Sequence, residues 1–135
     1  MSSCYCINLR SASRRMSTQY SNALKPLNIT VSQYSLLKMI KRHQMISITH
    51  LAKECELERS TVGRNIKVLE KMNFIYFAAP ENKNDQRENL IAVTDYGSRV
   101  LEEAIQIWQS VQKEIEDKLG GEDKARELLT ILNSI

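Results

Sequence analysis

The stretch SITHLAKECELERSTVGRNIKVLEKMNFIYF, Ser47 to Phe77, decides the fold. Ser47 can cap a short helix, Ile48 to Glu56, whose Leu51, Ala52 and Cys55 fall inward. A tight turn at Leu57-Glu58 follows. The next helix, about Arg59 to Met72, sets Val62, Ile66 and Leu69 on one apolar stripe. Asn73 stands where a helix ends on a left-handed residue, a conformation Asn tolerates. The period then changes to two. Phe74 to Ala79 and Asn89 to Val93 read as strands around the polar run Pro80 to Arg87.

Short helix, turn, helix and charged-tip hairpin, in that order, make a winged helix-turn-helix. A DNA major groove about 12 Å wide admits one helix, and the side chains near its N-terminus reach base edges. The positions read as exposed on the second helix are Arg59, Ser60, Thr61, Arg64, Asn65 and Lys67. Arg can bond guanine at two points, Asn can bond adenine, and hydroxyls can bond phosphate or bases. At the hairpin tip, Lys83 and Arg87 offer cations to a narrow minor groove. Asp85 can hold the Arg87 guanidinium by a charge-assisted bond. The plain alternatives are a solvated helix face and a loop with an incidental ion pair. A polar-faced helix leading into a basic-tipped hairpin favours the nucleic-acid reading.

Working outward, Leu9, Ala12, Met16, Tyr20 and Ala23 predict a first helix from near Cys6 to Leu24, ended by Pro26 and Asn28. Thr30-Val31-Ser32-Gln33 is a capping box. It opens a helix through about Arg42, with Tyr34, Leu37 and Ile40 inward. Met45-Ile46-Ser47 is short and β-prone. Thr94 caps a long helix, Asp95 to about Leu119, with an apolar seam of Leu101, Ala104, Ile105, Trp108, Val111, Ile115 and Leu119. Gly120-Gly121 breaks it, and a last helix, Glu122 to Ser134, carries Leu128, Leu129 and Leu132. The expected fold is therefore mainly α with a small β wing, in one domain over residues 1–135. A winged helix-turn-helix head spans 31–94, and a helical dimerisation region spans 1–30 and 95–135. The seam and the C-terminal leucines hold more apolar surface than one small head can cover, which predicts a homodimer.

The 135 residues suit one domain, and 42% hydrophobic with 26% charged residues excludes a disordered tail. No apolar run approaches the roughly 18 residues of a membrane span, and no hydrophobic leader stretch is visible. The expectation is a cytoplasmic protein with no membrane partner. Three cysteines, an odd number, argue against a secreted disulfide framework. Net charge is only +3, but no acidic residue precedes Glu54, while acidic residues dominate from Glu102 onward. Two readings stay open: one face meets phosphate and another avoids it, or the first and last helices pair by charge. An enzyme is not expected. There is no Gly-rich phosphate loop, no Ser-His-Asp or Cys-His pattern, and no complete metal set, since His43 and His50 stand unpaired. No cofactor is implied.

The residues resemble the MarR family of bacterial and archaeal regulators. Ile48-Thr49-His50-Leu51-Ala52-Lys53 with Ser60-Thr61-Val62-Gly63-Arg64 is similar to its helix-turn-helix. Leu69 to Ile75 is similar to its exit into the wing. Asp85-Gln86-Arg87 with Thr94-Asp95-Tyr96-Gly97 is similar to its wing signature. Asn73 replaces the usual Gly, and Glu58 stands where a better N-cap is common. The resemblance implies a homodimer with intertwined first and last helices, a pseudo-palindromic double-stranded DNA operator, and repression. Members of this family often bind small aromatic acids or phenols between the dimer helices and the head. Here such a pocket would draw on Arg10, Arg14, Tyr34 and Trp108, although the two aromatics can equally be core. The first helix is also similar to the thiol-based peroxide sensors of the OhrR type, with Cys6, Arg14, Met16, Tyr20, Gln33 and Tyr34 at matching positions. Arg10 and Val31 replace tyrosines of those sensors. A redox reading would rest on Cys6, with Cys4 beside it, since a thiol at a helix N-terminus near arginines is activated. A third class, a winged-helix adaptor for protein contacts, stays open too.

Overall fold

In a computed structural model of the chain, residues 2–78 and 90–135 are described. Helix α1 (Tyr5–Leu24) runs into a single 3₁₀ turn (Lys25–Leu27) that stops at Asn28, left-handed at φ 60°. Thr30 then opens α2 (Val31–His43) with both bonds of the expected capping box. Its Oγ1 accepts from the Gln33 amide at 3.2 Å, and its own amide donates to Gln33 Oε1 at 3.0 Å. Strand β1 (Ile46–Ser47), helix α3 (Ile48–Glu54) and helix α4 (Arg59–Lys71) follow. Strands β2 (Ile75–Ala78) and β3 (Leu90–Val93) lead to α5 (Asp95–Leu119) and α6 (Glu122–Asn133). The architecture is mainly helical with a small antiparallel wing, as read from the sequence.

One boundary moved for a physical reason. Helix α3 ends at Glu54, not Glu56, because Glu56 turns left-handed at φ 54°. Its amide and that of Leu57 bond back to the carbonyls of Lys53 and Ala52, closing the turn two residues earlier than expected. The β-prone residues before α3 are also more than an isolated strand. β1 pairs with β3, so the sheet has three strands in the order β1-β3-β2, with Ile46 opposite Ile91 and Phe77 opposite Ile91 on the other side. The pairing pins the start of α3 to the wing.

The core gathers one stripe from each element: Leu24, Tyr34, Leu37, Ile40, Ile46, Leu51, Val62, Ile66, Leu69, Ile91 and Leu101 are all buried. Burying such side chains contributes about 1.5–3 kcal/mol each before the entropy of ordering them. Thr94 fastens the head to α5. Its Oγ1 accepts from the Gly97 amide at 2.9 Å and donates to the Asn73 carbonyl at 2.7 Å, and its amide donates to the Phe74 carbonyl at 2.9 Å. No described helix is long and apolar enough to cross a membrane.

Candidate nucleic-acid interface

Helix α4 is held by its apolar stripe, with Val62, Ile66 and Leu69 fully buried. The opposite face carries Arg59, Ser60, Arg64 and Lys67, all exposed. Thr61 and Asn65 are half-buried rather than exposed. Each directly precedes a buried residue, so the 100° step between neighbours leaves it at the edge of the apolar stripe. The Asn65 amide donates to the Thr61 carbonyl one turn back at 3.2 Å, which occupies one of its two donors. Arg59 Nε donates to Thr49 Oγ1 on α3 at 3.2 Å, and Arg64 Nη2 lies 3.4 Å from Thr61 Oγ1. The sequence reading missed Thr49. Its signal is the position two residues after the Ser47 cap, on the outer face of the first helix of the pair.

Glu58 caps α4 with no side-chain bond, so its carboxylate meets the positive helix end through charge alone. Gly63 sits inside the same helix, and a Cβ built there meets nothing within 4 Å. The expected wing contacts, Lys83, Asp85 and Arg87, lie outside the described residues.

The second expected site is only partly brought together. The buried Tyr34 ring stacks on half-buried Trp108, with centroids 6.2 Å apart and planes at 26°. The cation beside them is Lys38, whose Nζ is 4.4 Å from the Trp108 centroid and 5.8 Å from that of Tyr34. Arg10 and Arg14 instead project from the exposed face of α1, and Arg14 Nη2 donates to Ser11 Oγ at 3.1 Å. Lys38 follows Tyr34 by four residues on α2, a spacing that places both on one helix face. Among the described residues the buried Tyr34 hydroxyl has no hydrogen-bond partner. Burial pushes its pKa above the usual tyrosine value, and the neighbouring Tyr20 adds to that. Tyr20 donates to Gln112 on α5, and burial, then the Glu116 carboxylate, raises its pKa as well.

Helix α1 meets α5 through Tyr20–Gln112 and through Gln19 with Glu114 at 3.2 Å. Among the described residues the ion pairs are Lys124–Glu127 and Arg126–Asp123, and His50 Nε2 lies 3.2 Å from Glu54 Oε1. Among the described residues, none of these joins a basic α1 residue to α5 or α6. Cys4 and Cys6 are exposed at the start of α1. Cys55 is half-buried against the core, where burial, then Glu54, pushes its thiol pKa up. His43 and His50, read as unpaired, come together with ring centroids 5.3 Å apart.

The MarR family model matches residues 29–88, a span that holds α2 to β2. The organic hydroperoxide resistance transcriptional regulator of Bacillus subtilis is 29% identical over 102 residues, covering 76% of this chain and 68% of that protein. The chain is thus similar to the MarR family over that matched span. Its fold is similar to that of the M. tuberculosis transcriptional regulator MosR in complex with DNA. The two share 28% identity and a TM-score of 0.82, over 97% of this chain and 94% of that one. A MarR mutant from E. coli complexed with operator DNA superposes with a TM-score of 0.84 at 22% identity, over 93% of this chain and 89% of that one. The B. subtilis protein and MosR are both transcriptional regulators.

Proposed function

We propose that this chain is a MarR-family regulator that binds double-stranded DNA sequence-specifically, a repressor that acts as a homodimer. The observation that carries this is the two-faced α4. Its inner face is wholly apolar and buried, and its outer face presents Arg59, Ser60, Arg64 and Lys67 beside a helix end without a side-chain cap. Thr61, Asn65, Lys83, Asp85 and Arg87 complete the proposed contact set from the sequence. Two relatives of the same fold were solved on DNA, which supports the same use here.

The second copy is argued from α1 and α6. Helix α6 has no buried residue, although Leu129, Ile131 and Leu132 are 58%, 59% and 40% exposed. A groove of about 520 Å³ between α1 and α6 is lined by Leu9, Ala12, Met16, Tyr20, Leu128 and Leu132. So much apolar surface on two neighbouring helices fits burial against a two-fold mate. The dimer would set the spacing of two α4 helices to about one DNA turn, hence a pseudo-palindromic operator.

Release is assigned to a small aromatic or phenolic ligand at Tyr34 and Trp108. The orphaned Tyr34 hydroxyl supplies a donor and Lys38 a cation, while Arg10 and Arg14 could contribute only from the outer face of α1. A ligand there would change the separation of the recognition helices by favouring one dimer state. A thiol switch at Cys6, with Cys4 as its neighbour, is the second reading. It is favoured by the exposure of both thiols and by the hydroperoxide-resistance relative. Selection of genomic fragments by the purified protein, with sedimentation of the bound species, tests the main reading. Recovery of a palindrome bound by two chains supports it. A dimer with no sequence preference would instead indicate a protein-contact adaptor.

A further inference from the structure

We propose that His43 and His50 form a two-imidazole site for a divalent transition-metal ion of the zinc type at the joint between α2 and α3. The two residues lie on different helices, and the backbone places them together. His43 ends α2, the chain reverses at Gln44 with φ 65°, and Ser47 Oγ accepts from the His50 amide at 3.1 Å to start α3. The rings meet edge to face, with centroids 5.3 Å apart and planes at 64°.

That separation is what shared coordination needs. A Zn–N bond of about 2.0–2.1 Å puts each ring centre about 3.2 Å from the ion, and the tetrahedral angle then separates two ring centres by about 5.2 Å. Rotation about each metal–nitrogen bond leaves the interplanar angle free, but both in-plane nitrogens must aim at the ion, so one imidazole turns out of the edge-to-face contact on binding. His50 is also oriented for the task. Its Nε2 lies 3.2 Å from Glu54 Oε1, one turn along α3. A carboxylate on one ring nitrogen fixes the tautomer and turns the other nitrogen, Nδ1, into a more basic ligand. Among the described residues no group of three His, Cys, Asp or Glu is placed to hold an ion, so water fills the remaining positions. The ion is therefore exchangeable, and imidazole ligands suit Zn(II), Ni(II) and Cu(II). Occupancy would tie the end of α2 to α3, the helix whose Thr49 receives Arg59.

The chain has only two histidines, so an untagged protein reports on itself. Histidine ring proton signals are followed by NMR during titration with zinc chloride. Both rings are expected to shift together and to saturate at about one ion per chain. His43→Ala should weaken zinc binding at His50 by about tenfold or more, and Glu54→Gln should weaken it by about tenfold without removing either ligand. Zinc uptake with both rings stationary would place the ion at Cys4 and Cys6 and overturn the proposal. So would movement of one ring alone, or a His50 titration unchanged by His43→Ala.

Discussion

Gly97 lies so close to the Phe74 carbonyl that no side chain fits between them. A Cβ at Gly97 would collide with the Phe74 oxygen and sit 2.9 Å from both the Phe74 carbonyl carbon and Val93 Cγ1. This approach lets Thr94 cap α5 and hold the exit of α4 at once. Gly97→Ala must push backbone rather than a flexible side chain. It is expected to destabilise the chain by about 3 kcal/mol or more, since overpacking against a rigid neighbour is poorly relieved. Urea unfolding followed by circular dichroism checks it.

Glu56 and Asn73 are both left-handed, at φ 54° and 63°. For most L-residues this conformation costs about 1–2 kcal/mol, and Asn bears it more easily. Glu56→Gly is therefore expected to raise the thermal midpoint, and Asn73→Gly to raise it less. Paired melts of the two variants measure the order. An equal or reversed ranking would contradict the account of the turn.

Tyr34 offers a separable test of the buried hydroxyl. Leaving a buried donor unpaired costs about 1–3 kcal/mol, so Tyr34→Phe should be neutral or stabilising in the free protein. Because folding raises the Tyr34 and Tyr20 pKa values, their neutral forms favour the folded state. That stability is fully present below the unfolded value of 10.0 and is lost as pH rises through the higher folded values. Alkaline unfolding should be less steep in Tyr34→Phe than in wild type, which a pH series of melts reads directly. The same variant should respond less to phenolic ligands if the hydroxyl is their donor.

Gly63 has no internal reason to be glycine, since a Cβ there meets open space. A helix-interior glycine costs about 0.8–1.0 kcal/mol relative to alanine. Gly63→Ala should therefore stabilise the free protein. If the backbone of α4 approaches DNA closely at this point, the same change should weaken operator binding. Unfolding and binding measured on one preparation separate the two effects.

The parts of the fold that were legible in advance are those fixed by neighbours in sequence. The Thr30–Gln33 box, the Thr94 cap, the seam of α5 and the buried stripe of α4 each follow from local spacing. What was not legible depends on contacts across elements. β1 joins the wing because Ile46 meets Ile91, 45 positions away. Lys38 lies over Trp108 because it stands one turn after Tyr34 on α2, while Arg10 and Arg14 stay on the exposed face of α1. His43 and His50 meet because Gln44 reverses the chain and the Ser47 cap starts α3. Within the candidate interface, the exposed Arg59, Ser60, Arg64 and Lys67 were readable from period alone. The half-burial of Thr61 and Asn65 depended on the rotation of α4 in its seat.

The central claim is that the outer face of α4 reads DNA, and salt-dependent binding to the selected operator tests it most directly. Fluorescence anisotropy of a labelled fragment is measured over a range of salt for wild type, Arg64→Ala and Lys67→Ala. Arg64→Ala is expected to lose about 1–3 kcal/mol of binding and to discriminate less at one base position, as for an arginine on a base edge. Lys67→Ala is expected to weaken all sequences alike and to lower the salt slope by about one, as for a phosphate contact. If both variants bind the operator with wild-type affinity and wild-type salt slope, α4 is not the reading helix.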